Sequence, residues 1–228
     1  MFNSDEINKI KEAFERLKNT SHIAYPYIDE KLNEVRRTED NEFETFRNDS
    51  SSSAYKAAIG WKDQNYHYAY KEGFFRIAHM AIIHAKDQTD MLVYPIIFNY
   101  RHYLELVLKE FILKFETVFL LQAKSKLHTH DLKKLLDKLM EILEPQELGF
   151  LISSKQKKVI MDFHEIDSKN DAFRYIYDTK GNLNHDYKQK EFNLLEVHYT
   201  MNEIYNDFNA LDYIFDGYFV NLLKEERK

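Results

Sequence analysis

The stretch "NYRHYLELVLKEFILKF", Asn99 to Phe115, sets an arginine and a glutamate into the most apolar run of the chain. It holds neither glycine nor proline, so nothing interrupts a helix. Placed on a wheel at about 100° per residue, Ile97, Leu104, Leu108, Ile112 and Phe115 share one face, with Arg101 and Glu105 in its middle. Tyr100, Tyr103 and Val107 cover the adjoining flank, which leaves a narrow sector of His102, Lys109 and Glu116 for water. A helix apolar over most of its circumference belongs inside a bundle. A buried guanidinium needs a partner, and Glu105 lies one turn along on the same face. Two readings stay open for this pair. It locks the packing, or it lines a functional pocket.

Outward from this helix, the composition agrees with an all-α chain. The 228 residues include only 5 Gly and 3 Pro, against 16 Tyr, 17 Phe and 1 Trp. Few breakers mean long helices, and 34 aromatics need a core or a partner to cover them. The absence of cysteine excludes disulfides and thiolate metal sites and fits a reducing cytoplasm. A formal charge of −6 speaks against general DNA coating. No apolar run reaches 18 residues, so no membrane span is expected.

The remaining chain divides into residues 1–62, with N-terminal helices and a polar Ser-rich loop, and residues 63–228, the main bundle. Ser4 is the expected cap of a first helix over Asp5–Asn19, with Ile7, Ile10, Phe14 and Leu17 on one face. A short helix is expected near Asp29–Arg37, before a loop around the serines at 50–53. Over 65–86, Tyr66, Tyr70, Phe74, Ile77 and Ala81 recur at helical spacing. Asp87–Asp90 breaks this run, and Pro95 is expected in the first turn of the next helix. Thr129 and Asp131 are expected to cap a helix ending near Pro145, and Ser153 or Ser154 another. Gly181 and Asn182 mark a turn. Leu194, Val197, Met201, Ile204, Phe208, Leu211, Phe215, Tyr218 and Leu222 repeat at three and four, a seam for neighbouring helices with length enough to reach a partner chain.

Polar residues cluster at three places. Besides Arg101, His102 and Glu105, the segment "HTHDLKKLLDKL" brings His128, His130 and Asp131 to a helix start. Arg174 stands between aromatics in "DAFRYIYDTKGN", where Tyr175 and Tyr177 flank it; it can stack a base, grip a phosphate, or pin its loop to a carboxylate. Nucleotide-loop, nucleophile-elbow, zincin and calcium-loop motifs are absent, the histidines do not pair at helical i,i+4 spacing, and no cofactor or metal is called for.

Taken in order, "YPIIFNYRHYLELVLKEFIL", "HTHDLKKLLDKL" and "FRYIYDTKGN" resemble a group of uncharacterised bacterial helical proteins related to the HEPN superfamily. The resemblance covers roughly residues 90 to 182. It implies an up-and-down helical bundle, here with an N-terminal helical extension, that forms homodimers and works in RNA cleavage, toxin–antitoxin pairs or phage defence. The superfamily's ribonucleases place a histidine four to six residues beyond an arginine. Arg76, Arg101 and Arg174 lack that spacing: the gaps are two and seven to His79 and His84, none to His102, and ten to His185. The resemblance therefore implies a non-catalytic module with an RNA or protein partner. The alternatives are a metal-independent ribonuclease, with Arg101 or Arg174 steadying phosphate and His102 or His130 moving the proton, and a structural or assembly subunit.

Overall fold

A computed structural model describes residues 3–20, 57, 59, 66–119, 127–185 and 191–221. The expected helix near 29–37 and the serine loop lie outside these residues. Six α-helices account for most of what is described: α1 Ser4–Thr20, α2 Tyr66–Ala85, α3 Thr89–Val118, α4 Leu132–Leu143, α5 Ser154–Ile166 and α6 Leu194–Ile214. Among the described residues there is no strand, only a single bridge between Tyr177 and Leu183. None of these helices is long and apolar enough to cross a membrane. The described residues of 1–22 and 66–228 form one compact unit.

The caps follow the sequence with two shifts of residue. Asn3, not Ser4, caps α1: its Oδ1 accepts from the Glu6 N–H at 3.0 Å while Glu6 Oε2 accepts from the Asn3 N–H at 2.8 Å. Asp131 alone caps α4, accepting from the Lys134 N–H, while the Thr129 hydroxyl takes the Asp131 N–H one step earlier. Ser153 and Gln156 close a reciprocal capping box on α5. Pro95 lies inside α3 rather than in its first turn, because α3 already begins at Thr89 after a short 3₁₀ turn over Lys86–Gln88.

α3 is the central helix. It pairs with α2 as a hairpin and packs on α4 and α6, while α5 backs α4 and α1 lies on α6. Ile97, Tyr100, Tyr103, Leu104, Val107, Leu108, Ile112 and Phe115 are all buried, as the wheel requires. Glu116 is buried too, so the sector left to water is narrower than the wheel implies. The α6 seam is covered within the chain from Leu194 to Phe215, apart from the half-buried Val197. A π turn over Phe215–Phe219 then adds a residue to the helical repeat. The register slips, so Phe219 enters the core and Tyr218 turns outward.

Two polar groups, each partly buried, join α2, α3 and α6. Lys71 and Lys114 form a closed square with Glu110 and Asp212, with contacts of 2.7 and 2.5 Å from Lys71 and 2.9 and 2.6 Å from Lys114. Nearer α3's start, His79 Nδ1 lies 3.1 Å from the Tyr100 hydroxyl, and its ring stacks on His198 at 3.6 Å.

Candidate functional site

Arg101 has no solvent exposure and reaches three elements. Its Nε donates to the Asp167 carbonyl at 2.9 Å, where α5 ends, and its Nη2 donates to the His130 carbonyl at 2.7 Å, just before α4. The expected partner is present but secondary: Nη1 stands 3.6 Å from Glu105 Oε2. Two backbone carbonyls thus hold the guanidinium more closely than the carboxylate does. Burial lowers the Arg101 pKa, and the charges of Asp167 and Glu105 oppose that shift.

This arrangement makes Arg101 a latch. Asp167, whose carbonyl it holds, uses Oδ1 to accept the N–H groups of Asp171 and Ala172 at 3.0 and 3.2 Å. That turn carries Arg174 and Tyr175, whose backbone N–H groups donate to the Asp171 carbonyl. Arg101 therefore supports the segment that presents Arg174 and cannot itself touch an external ligand.

Around the latch, basic and imidazole groups converge on Glu105. Lys109 Nζ donates to Oε1 at 2.7 Å, His130 Nδ1 lies 2.9 Å from the same oxygen, and His102 Nδ1 is 3.9 Å from Oε2. Burial pushes the Glu105 carboxyl up, but the bonds from Lys109 and His130 outweigh it and leave it below the usual range. His102 is held below its ordinary value, first by burial and then by the positive charge of Lys109 and Arg174, against the pull of Glu105. It is therefore a neutral imidazole at pH 7.

Arg174 lies on the open side of this group. Its guanidinium sits 5.3 Å from the Phe98 ring and 5.1 Å from the Tyr175 ring, and Nη2 donates to the Tyr175 hydroxyl at 3.1 Å. Phe98 stacks on His102, and His102 meets Phe74 edge-on at 4.3 Å. Tyr175, Ile176 and Tyr177 are each more than half exposed beside it. Arg174 has no carboxylate partner among the described residues, so it does not pin its loop by an ion pair. The loop is held instead by Asn184, which donates to the Tyr175 carbonyl, and by a turn in which Asp178 accepts from Lys180 and Asn182 and Gly181 adopts φ 82°.

The structure thus gathers Arg101, His102, Glu105, His130 and Arg174 with Tyr175, although they come from three separate stretches. Asp131 faces away toward His164, 3.4 Å off, and serves the α4 cap. Tyr177 is more than half exposed on the turn, where its backbone bridges to Leu183. Lys109 and Asp167 were not foreseen as members. Lys109's i,i+4 spacing to Glu105 was available; Asp167 carried no signal. Sequence reasoning also missed one pair: Arg16 and His22 are separated by five residues, the spacing of the superfamily's ribonucleases. Arg16 is on the exposed side of α1, and His22 lies outside the described residues. Among the described residues no group of three or more His, Cys, Asp or Glu is placed to hold a metal ion. Comparison with known protein families, characterised proteins and solved structures returns no match.

Proposed function

We propose that the protein is a HEPN-like helical module that binds single-stranded RNA through the Arg174 face without cleaving it. The setting is a cytoplasmic toxin–antitoxin or phage-defence system, as the motif resemblance implies. One observation carries the reading. Arg174 is an exposed guanidinium without a carboxylate partner among the described residues, set against the Phe98 and Tyr175 rings and near enough to His102 for its charge to lower that imidazole's pKa. Exposed rings beside cations suit bases that stack and phosphates that pair, without demanding a base sequence. The acidic net charge leaves this patch as a local attraction rather than a general one.

The test is titration of short single-stranded RNA at low salt. Arg174→Ala and Tyr175→Ala are expected each to weaken binding by roughly tenfold or more while leaving the melting temperature unchanged, since both side chains are exposed. Absence of binding to any RNA at low salt would overturn the reading.

A second reading is favoured by the two imidazoles at Glu105. With Nδ1–H of His130 donating to the ionised Glu105, the lone pair on Nε2 is available as a base. On this reading the protein is a ribonuclease. Incubation with RNA would show cleavage lost in His130→Ala and His102→Ala. If cleavage is lost instead in Arg16→Ala and His22→Ala, the activity belongs to the superfamily spacing and not to this cluster.

A further inference from the structure

Glu105 takes its hydrogen bonds on one oxygen. Lys109 and His130 both reach Oε1, at 2.7 and 2.9 Å. Oε2 is buried and has no hydrogen-bond partner among the described residues. His102 stands three residues earlier, a spacing that puts both side chains on one side of α3. Its Nδ1 is likewise buried without a partner, 3.9 Å from Oε2. An acceptor and an imidazole nitrogen therefore face each other from just beyond hydrogen-bond length.

The ring that carries Nδ1 is fixed by two aromatic neighbours. Phe74 of α2 meets it edge-on at 4.3 Å, and Phe98, one turn back on α3, stacks on it at 5.8 Å. The side chain keeps 22% exposure although Nδ1 has none, so solvent reaches the ring elsewhere. Next to a carboxylate, Nδ1 is assigned the hydrogen of the neutral tautomer. A second proton then goes to Nε2 and makes the ring a cation facing Oε2.

Four titratable groups face this ring: Glu105 and Lys109 from α3, His130 from the segment before α4, and Arg174 from the turn after α5. Glu105, Lys109 and Arg174 leave one net positive charge, and a proton on His102 makes it two. Burial disfavours that proton, as do Lys109, His130 and Arg174, while Glu105 favours it. Arg174 packs on Phe98 as His102 does, its guanidinium 5.3 Å from the ring centre. A phosphate held by Arg174 cancels part of the charge that opposes the proton. By reciprocity the proton tightens the hold on the phosphate.

We infer that His102 is a proton-linked control of the Arg174 face: its imidazolium pairs with Glu105, loosens that carboxylate's hold on Lys109 and His130, and strengthens the grip on RNA phosphate. The inference rests on the RNA-binding reading and adds its regulation. The sign follows from the charges. Above about pH 6.5 the imidazole is neutral and has no effect, and binding tightens as pH falls below that value.

The affinity of the full chain for an oligouridylate, whose own groups do not titrate in this range, is measured at fixed low salt from about pH 7.5 to about pH 5.5. It should tighten roughly fivefold, the gain when binding raises the ring's proton affinity about tenfold. His102→Phe keeps a ring between Phe74 and Phe98 and should flatten the dependence. His84→Asn, at an exposed position on α2, should retain it. In the unsubstituted chain, NMR of the His102 imidazole should show it titrating at higher pH with the oligouridylate bound than without. An affinity that does not change with pH, a dependence that survives His102→Phe or is lost with His84→Asn, or a His102 titration unmoved by the oligouridylate would each overturn the inference and leave RNA binding standing. No binding at any pH would remove both.

Discussion

Arg101 shows how much one side chain can organise when it is fully buried. Its hydrogen bonds go to carbonyls that end α5 and precede α4, so removing it orphans two backbone acceptors and leaves Glu105 with one cation fewer. Arg101→Ala is expected to lower unfolding free energy by about 3–5 kcal/mol in urea titration. It should also weaken the proposed RNA binding, because the turn that presents Arg174 hangs from Asp167. An unchanged denaturation midpoint would refute the latch. His79 gives a second effect at this scale. Burial, and then the facing His198, hold its pKa down to about 4 from an ordinary value near 6.5. Below 6.5 the unfolded chain takes up a proton that the folded chain refuses. The stability from this residue is therefore whole above about pH 6.5 and falls by about 1.4 kcal/mol per pH unit until about pH 4. Melting of His79→Phe against pH should lack that slope.

At the scale of the element, helix boundaries depend on single capping groups, and these are separable from the core. Ser153 and Gln156 satisfy each other's backbone N–H groups at the start of α5. Ser153→Ala should cost about 1 kcal/mol without altering the site. The end of α6 behaves differently. There the three-four repeat predicts Tyr218 in the core, yet the π turn substitutes Phe219, which packs edge-on against Phe115 at 5.2 Å. Phe219→Ala is accordingly expected to lose about 3–5 kcal/mol, and Tyr218→Ala well under that. Equal losses would mean that the register does not shift. Periodicity marks α2, α3, α5 and α6 as helices, but it does not say which of two apolar sides of α2 meets the core. Both sides carry residues of similar hydropathy, and only the neighbours decide between them.

In the whole molecule, the square of Lys71, Lys114, Glu110 and Asp212 ties α2, α3 and α6 together with its charges balanced. Burial alone pushes the Lys114 amine down, and the two carboxylates more than reverse that. Lys71→Met should destabilise the fold by about 3–5 kcal/mol, since two carboxylates then face one ammonium. Adding Glu110→Leu removes the surplus charge and should recover most of the loss in a double-mutant cycle. If the two losses simply add, the residues do not act as a unit. Only the Glu110–Lys114 side of the square, at i,i+4 spacing, is legible in the sequence, because Lys71 and Asp212 are separated by 141 positions.

By itself the sequence determined that the chain is helical, where most helices lie, and that Arg101 and Glu105 are buried, because helical periodicity and the scarcity of glycine and proline are local properties. It also marked Arg101, His102, His130 and Arg174 one at a time. Only the tertiary structure decided that these residues stand together, that Arg101 bonds chiefly to carbonyls, and that the Tyr70–Ile77 side of α2 faces outward. Those facts depend on which elements pack against one another, and packing is set by contacts between residues far apart along the chain.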